Sequence, residues 1–152
     1  MAAVDYGDGS KVQPLALNSD KTFTLSHTYA NDGIFVVKVK VSDGVSEGSD
    51  ALAVVVKNVA PKLNVSIEPK IEGKTLVGTG FFTDPGADKW TVTIDYGDGS
   101  GMQTLVLSGK AFSINHTYEK PGQYFILIAV RDGASIGSIQ ISANVIEVPA
   151  SN

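Results

Sequence analysis

The sequence predicts an all-β protein built as two tandem antiparallel β-sandwich units, and three observations carry that reading. Apolar and polar residues alternate with a period of two, as where Trp90, Val92, Ile94 and Tyr96 interleave with Thr91, Thr93 and Asp95, and no stretch shows helical periodicity. Turn residues interrupt these runs at intervals of roughly 8 to 12 residues, the spacing of a sandwich. The hexamer DYGDGS stands at residues 5–10 and again 90 residues later at 95–100.

The repeat extends beyond the hexamer. His27-Thr28-Tyr29, Gly33 and Asp43-Gly44 return as His116-Thr117-Tyr118, Gly122 and Asp132-Gly133, now 89 residues apart, so one residue has been gained or lost in the loop between. A period of this length is a domain, too long for a solenoid unit. In each copy the Gly-Asp-Gly tolerates positive φ and its aspartate can bond its own backbone, which makes the hexamer a hairpin corner.

In chain order, matching Val4 to Ile94 leaves residues 60–93 without a counterpart ahead of the first hexamer. The first unit, 1–59, is therefore expected to lack its first strands. Phe35, Val37, Val39 and Val41 form one apolar face, with Lys38 and Lys40 opposite and wet; a last strand covers 51–56. Asn58-Val59-Ala60-Pro61 is a short, stiff boundary, since proline cannot extend a ladder and no Gly/Ser tract follows. The second unit, 60–148, is expected to be complete, with 149–152 a tail. Its strands are read at 62–67, 75–82, from Trp90 to the hexamer, 105–107, 112–114, 124–130 and about 136–148, with turns at 69–73 and 83–86. Phe125, Leu127 and Ala129 stand where the first unit has Val36, Lys38 and Lys40, so the outer face there is expected to be partly covered.

Composition excludes several functions. The chain has 152 residues, a net charge of -4 and 12 scattered basic residues, which argues against a nucleic-acid surface. No cysteine is present, so disulfides and thiolate metal sites are excluded. No apolar run approaches the roughly 18 residues of a membrane helix, and Met1-Ala2-Ala3 is no signal peptide, which suits either a short cytosolic chain or a piece of something longer.

Taken together, Thr83-Asp84-Pro85-Gly86, residues 90–100, His116-Thr117-Tyr118, Gly122-Gln123-Tyr124 and Asp132-Gly133 resemble the polycystic kidney disease (PKD) domain. The resemblance spans the whole second unit and, from the hexamer on, the first. Two departures stand out: Ile94-Asp95-Tyr96 replaces the family's aromatic-aspartate-phenylalanine, and the first unit's start is missing. The resemblance implies an immunoglobulin-like sandwich, found as an extracellular module in tandem arrays of surface proteins and beside the catalytic domains of secreted hydrolases. There it serves as a spacer, adhesion or substrate-contact unit.

Three carboxylates are the metal-site candidates: Asp84 and Asp88 flank a tight turn, and Asp132 ends a strand that the fold can bring to the same end of the sandwich. Oxygen ligands from two loops suit Ca²⁺, and some PKD domains, notably those attached to bacterial collagenases, resemble this arrangement and bind it. The alternative is that Asp84 before Pro85 and Asp132 before Gly133 are turn-formers. Asp8 and Asp98 are read as turn caps, because an EF-hand counted from Asp95 would need a glutamate where Val106 stands. His27 and His116 lack a converging nucleophile and are read as packing a corner, with Tyr29 and Tyr118 acting as tyrosine corners. Trp90 shares its face with Val92 and Ile94 and is read as core; sugar binding would require an exposed Tyr6, Tyr96 or Phe125.

The functional expectation is a non-catalytic spacer or adhesion repeat of a larger surface or secreted protein, extracellular, with a protein or polysaccharide partner. The uncovered face of the first unit predicts a homo-oligomer formed by strand exchange or face packing. The alternative is a substrate- or carbohydrate-binding accessory module of a secreted hydrolase.

Overall fold

The computed structural model describes residues 1–67 and 70–146, and among these there are strands but no helix. The chain divides between Asn58 and Val59 into two compact units.

The first unit is one antiparallel sheet of β1 (Ala2–Asp5), β2 (Gln13–Pro14), β3 (Gly33–Ser42) and β4 (Glu47–Val56), in the order β2-β1-β3-β4. Val4, Tyr6 and Val37 are buried, with Tyr29, Val39 and Val54 packed against them. Lys38 and Lys40 are exposed on the other face, as the alternation predicts. β4 starts four residues before the expected 51, because the hairpin pairs Ser42 with Glu47 and carries the polar residues after it into the ladder. Residues 22–28 form no strand.

The second unit is a two-layer sandwich. β5 (Lys62–Ile67), β7 (Thr75–Thr83), β10 (Leu107–Ser108) and β11 (Ala111–Thr117) make one sheet, ordered β10-β11-β7-β5. The other is ordered β6-β13-β12-β8-β9, from β6 (Lys70–Glu72), β8 (Thr91–Asp95), β9 (Met102–Leu105), β12 (Gly122–Arg131) and β13 (Ile136–Ile146). Leu76, Phe82, Phe112 and Ile114 from the first layer meet Val92, Ile94, Ile126, Ile128, Val130 and Val145 from the second in a single core. At roughly 1.5–3 kcal/mol for each fully buried large apolar side chain, this contact is the main stabiliser of the unit.

The strands depart from the sequence reading in three places. The expected 105–107 strand splits into β9 and β10 around Val106, which points outward and is 89% exposed. Within the expected turn at 69–73 lies β6, which pairs in parallel with Asn144 to Ile146; Pro69 is outside the described residues. Neither Trp90 nor Tyr96 belongs to β8. Residues 147–152, including the expected end of the last strand and the tail, lie outside the described residues.

Candidate functional site

The hexamer closes the β8–β9 hairpin, and its side chains fix the corner from inside. Asp95 Oδ1 accepts a hydrogen bond from the Gly97 amide at 2.9 Å, and Asp98 Oδ1 accepts one from the Ser100 amide at 3.0 Å. Gly97 has φ of 74°, and a Cβ there would collide with the carbonyl oxygen of Phe125 on β12. The turn thus needs glycine twice over, for its backbone angle and for its approach to the neighbouring strand.

Asp98 Oδ2 remains free for another partner. His116, at the end of β11, donates from Nε2 to it at 2.7 Å. The imidazole lies flat on Tyr96, with centroids 3.8 Å apart and planes 7° apart, and meets Tyr118 edge-on at 4.8 Å. The Tyr118 hydroxyl donates to the Tyr96 carbonyl at 3.2 Å, and its ring stacks on Tyr124. One carboxylate, one imidazole and two phenols therefore tie the β8–β9 hairpin of one sheet to β11 of the other.

The first unit repeats the arrangement. His27 Nε2 lies 2.7 Å from Asp8 Oδ2 and stacks on Tyr6, and the Tyr29 hydroxyl donates to the Tyr6 carbonyl at 3.2 Å. Burial pushes the Asp98 carboxyl up, but the hydrogen bonds from Ser100 and His116 together outweigh it and hold the group down at about 2. Hydrogen bonds from Ser10 and then His27 hold Asp8 well below the usual carboxylate range. Desolvation, followed by the Asp98 charge, raises the Tyr96 and Tyr118 phenols. The corner role expected of the histidines and the turn-cap role of Asp8 and Asp98 are both present. The bond that joins the two residues is absent from the sequence reading, although both halves of it recur in both units.

The three candidate metal ligands fall at two turns. Asp84 is 6% exposed; its Oδ1 accepts from the Gly86 amide at 2.8 Å, while its buried Oδ2 has no hydrogen-bond partner. Asp88 and Asp84 both approach Gly86, where a Cβ would strike the Asp88 carboxylate and crowd Asp84 Oδ1. Asp132 sits in the β12–β13 turn, where Oδ1 accepts from the Ala134 and Ser135 amides at 2.8 and 2.5 Å. Among the described residues no three His, Asp or Glu side chains are grouped as a metal site.

Trp90 packs edge-on against Phe82, with Lys110 Nζ 4.4 Å above its ring, so it belongs to the core margin. Tyr6 and Tyr96 are buried, whereas Phe125 is 56% and Phe81 49% exposed. Phe81 was not among the expected surface aromatics; its place opposite the buried Phe82 in the β7 alternation was the signal for it. It borders a groove of about 730 Å³ whose lining includes Thr79, Thr104, Ser113 and Asn115.

The two units differ in the burial of one repeated stretch. Phe112 and Ile114 of β11 are 4% and 1% exposed, while Phe23 and Leu25, their counterparts in the first unit, are 40% and 36% exposed. In the second unit β7 pairs with β11 from Thr75 to Phe81. Residues 22–28 have no such partner strand.

A family model described as the PKD domain matches residues 58–146. The chain is similar to the PKD1 domain of Vibrio anguillarum Epp, at 21% identity over 61% of this chain and 100% of that one, with a TM-score of 0.48. The PKD domain of an M14-like peptidase from a Thermoplasmatales archaeon is 27% identical over 58% of this chain and 99% of that one, with a TM-score of 0.46. The PKD domain of the human VPS10 domain-containing receptor SorCS2 is 24% identical over 74% of this chain and 98% of that one, with a TM-score of 0.48. No curated protein matches the chain.

Proposed function

The chain belongs to the PKD domain family, whose members are generally non-catalytic interaction modules of extracellular or secreted proteins, and on that premise we propose that it is a spacer or adhesion repeat of a larger surface or secreted protein that associates with another polypeptide through the open face of its first unit. The observation that carries this reading is the use made of the two histidines. Each has Nε2 committed to an aspartate and its ring held between tyrosines, so the groups best suited to chemistry serve as fasteners. The exposure of Phe23 and Leu25 supports the association, because a contiguous apolar face on a small unit gains by being covered. Self-association is the form of this expected from the sequence.

Ca²⁺ bound by Asp84 and Asp88 is part of the proposal. A carboxylate oxygen buried without a partner beside a second carboxylate is costly to leave alone, and a hard cation relieves both groups. Asp132, whose Oδ1 already accepts from the Ala134 and Ser135 amides, is the third carboxylate of the proposal.

A second reading, an accessory module that contacts polysaccharide or protein substrate for a hydrolase, is favoured by one observation: Phe81 and Phe125 present exposed aromatic rings.

The test of the open face is a dye that fluoresces on apolar surface, such as anilinonaphthalene sulfonate. The full chain is expected to bind it, and Phe23→Ser with Leu25→Ser to lose most of the signal while the second unit stays folded. Equal dye binding by the double variant, or none by the parent chain, overturns the association reading.

A further inference from the structure

We infer that the outward face of the β5–β7–β11 sheet, together with the groove beside it, is a binding site for a neutral polysaccharide strand. This rests on the accessory-module reading above and gives it a ligand class and a place.

All three strands belong to the second unit, and their alternation turns every second side chain to solvent. The pairing registers set these side chains in rows across the sheet: Asn64, Phe81 and Ala111 in one, Ser66, Thr79 and Ser113 in the next, Val77 and Asn115 in a third. Every one of them is exposed and none is charged. Among the outward positions of the three strands, charge enters only with Lys62 at the corner. An ordinary soluble surface carries charge at about one position in four, so a face this size without it is selective.

The groove of about 730 Å³ continues the face along the edge of the sandwich, and its size is that of a ligand cleft. β10 pairs with β11 only at Phe112 and Ala111, so beyond them Ser113 and Asn115 share the groove with Gln103 and Thr104 of β9. No Lys, Arg, His, Asp or Glu lines it. Phe81 stands at its border with only Ala111 beside it on that side, too small to cover the ring.

The chemistry of the face selects its ligand. A sugar ring has an apolar C–H face to lie on Phe81, hydroxyls to exchange hydrogen bonds with Ser, Thr, Asn and Gln, and no charge to neutralise. A polyanion would meet no cation within the face or the groove. A protein partner fits poorly as well: the cores of protein interfaces are rich in aromatic residues, Met and Arg and poor in Ser, whereas here a single aromatic ring stands among hydroxyls.

The experiment titrates the full chain with cellohexaose, chitohexaose, mannohexaose and maltohexaose and follows it by NMR. Saturable binding of at least one is expected, with shifts gathered at Thr79, Phe81, Ser113 and Asn115. Phe81→Ala should weaken it by about tenfold through loss of the ring contact. Ser113→Ala with Asn115→Ala should weaken it by about fivefold or more through two lost hydrogen bonds. These side chains are exposed, so the variants are expected to melt as the parent chain does. Phe125→Ala, on the other sheet, should bind as the parent does. Unchanged affinity in Phe81→Ala, tighter binding of hexagalacturonate than of every neutral sugar, or saturable binding of none of the four would each overturn the inference. Gelatin separates the two levels: a chain that binds gelatin but no sugar, or sugar through Phe125 instead of Phe81, remains an accessory module without this site, whereas a chain that binds neither sugar nor gelatin loses that reading too.

Discussion

His116 Nε2 sits 2.7 Å from Asp98 Oδ2 across 18 residues of chain, and that contact joins the hairpin turn of one sheet to a strand of the other. The geometry recurs between His27 and Asp8 at the same distance, although the loop there is one residue longer. The loop absorbs the insertion and the contact is kept, which marks the contact as the constrained feature.

A double-mutant cycle at this pair is expected to show coupling. Removing one partner of a hydrogen bond to a charged group leaves the other partly desolvated, which costs about 1.5–3 kcal/mol. His116→Ala should lose both this bond and the stacking on Tyr96, and His116→Phe should lose the bond alone. Denaturant melts of Asp98→Asn, His116→Phe and the double variant measure the coupling. Strict additivity would show that the residues are neighbours without interaction.

The pair also sets an acid limit. The folded Asp98 carboxyl is depressed to about 2 from an ordinary 3.8, so its contribution is fully present above the unfolded value and is lost as pH falls from about 4 toward 2. Melts between pH 5 and pH 2 should show the parent losing more stability than Asp98→Asn. Parallel curves would remove Asp98 from the acid response.

Gly97 and Gly99 separate two reasons for glycine. Both have positive φ, 74° and 86°, but only Gly97 is pressed against the Phe125 backbone, whereas Gly99 has open space around it. Gly99→Ala should cost about 1–2 kcal/mol for the left-handed backbone alone. Gly97→Ala should cost clearly more, because β12 must shift. Equal losses in thermal melts would mean that the close approach contributes nothing.

The hairpin corner, the repeat and most strands were legible because each is local. DYGDGS specifies a turn by itself, and the alternation from Tyr124 to Val130 specifies a strand face by itself. β6 was not legible: three residues between turn signals become a strand only because β13, some seventy positions away, offers its edge. The His–Asp bond lay between these cases. Its residues were each assigned a structural role, but the loop path that joins them depends on the whole sandwich. The pairing of Asp84 with Asp88 was readable from their flanking of Gly86, while the burial of one unpartnered oxygen was not.

Metal dependence is decided by a melt in excess EDTA followed by millimolar Ca²⁺, since a ligand that binds only the folded state raises the midpoint. An increase is expected, together with its loss in Asp84→Ala. No change in the parent chain would leave Asp84 as a turn-former and remove calcium from the proposal.

The same residue type at equivalent positions of the two units gives an internal comparison of burial. Phe112 is enclosed by the sandwich, beneath Gly80 of the paired strand, whereas Phe23 has no strand beside it and is 40% exposed. Phe112→Ala should therefore cost about 3–5 kcal/mol, the transfer free energy of the ring plus the cavity it leaves. Phe23→Ala removes a side chain that water already reaches and should cost about 1 kcal/mol or less. If Phe23→Ala is as costly as Phe112→Ala in the free chain, the face is already closed.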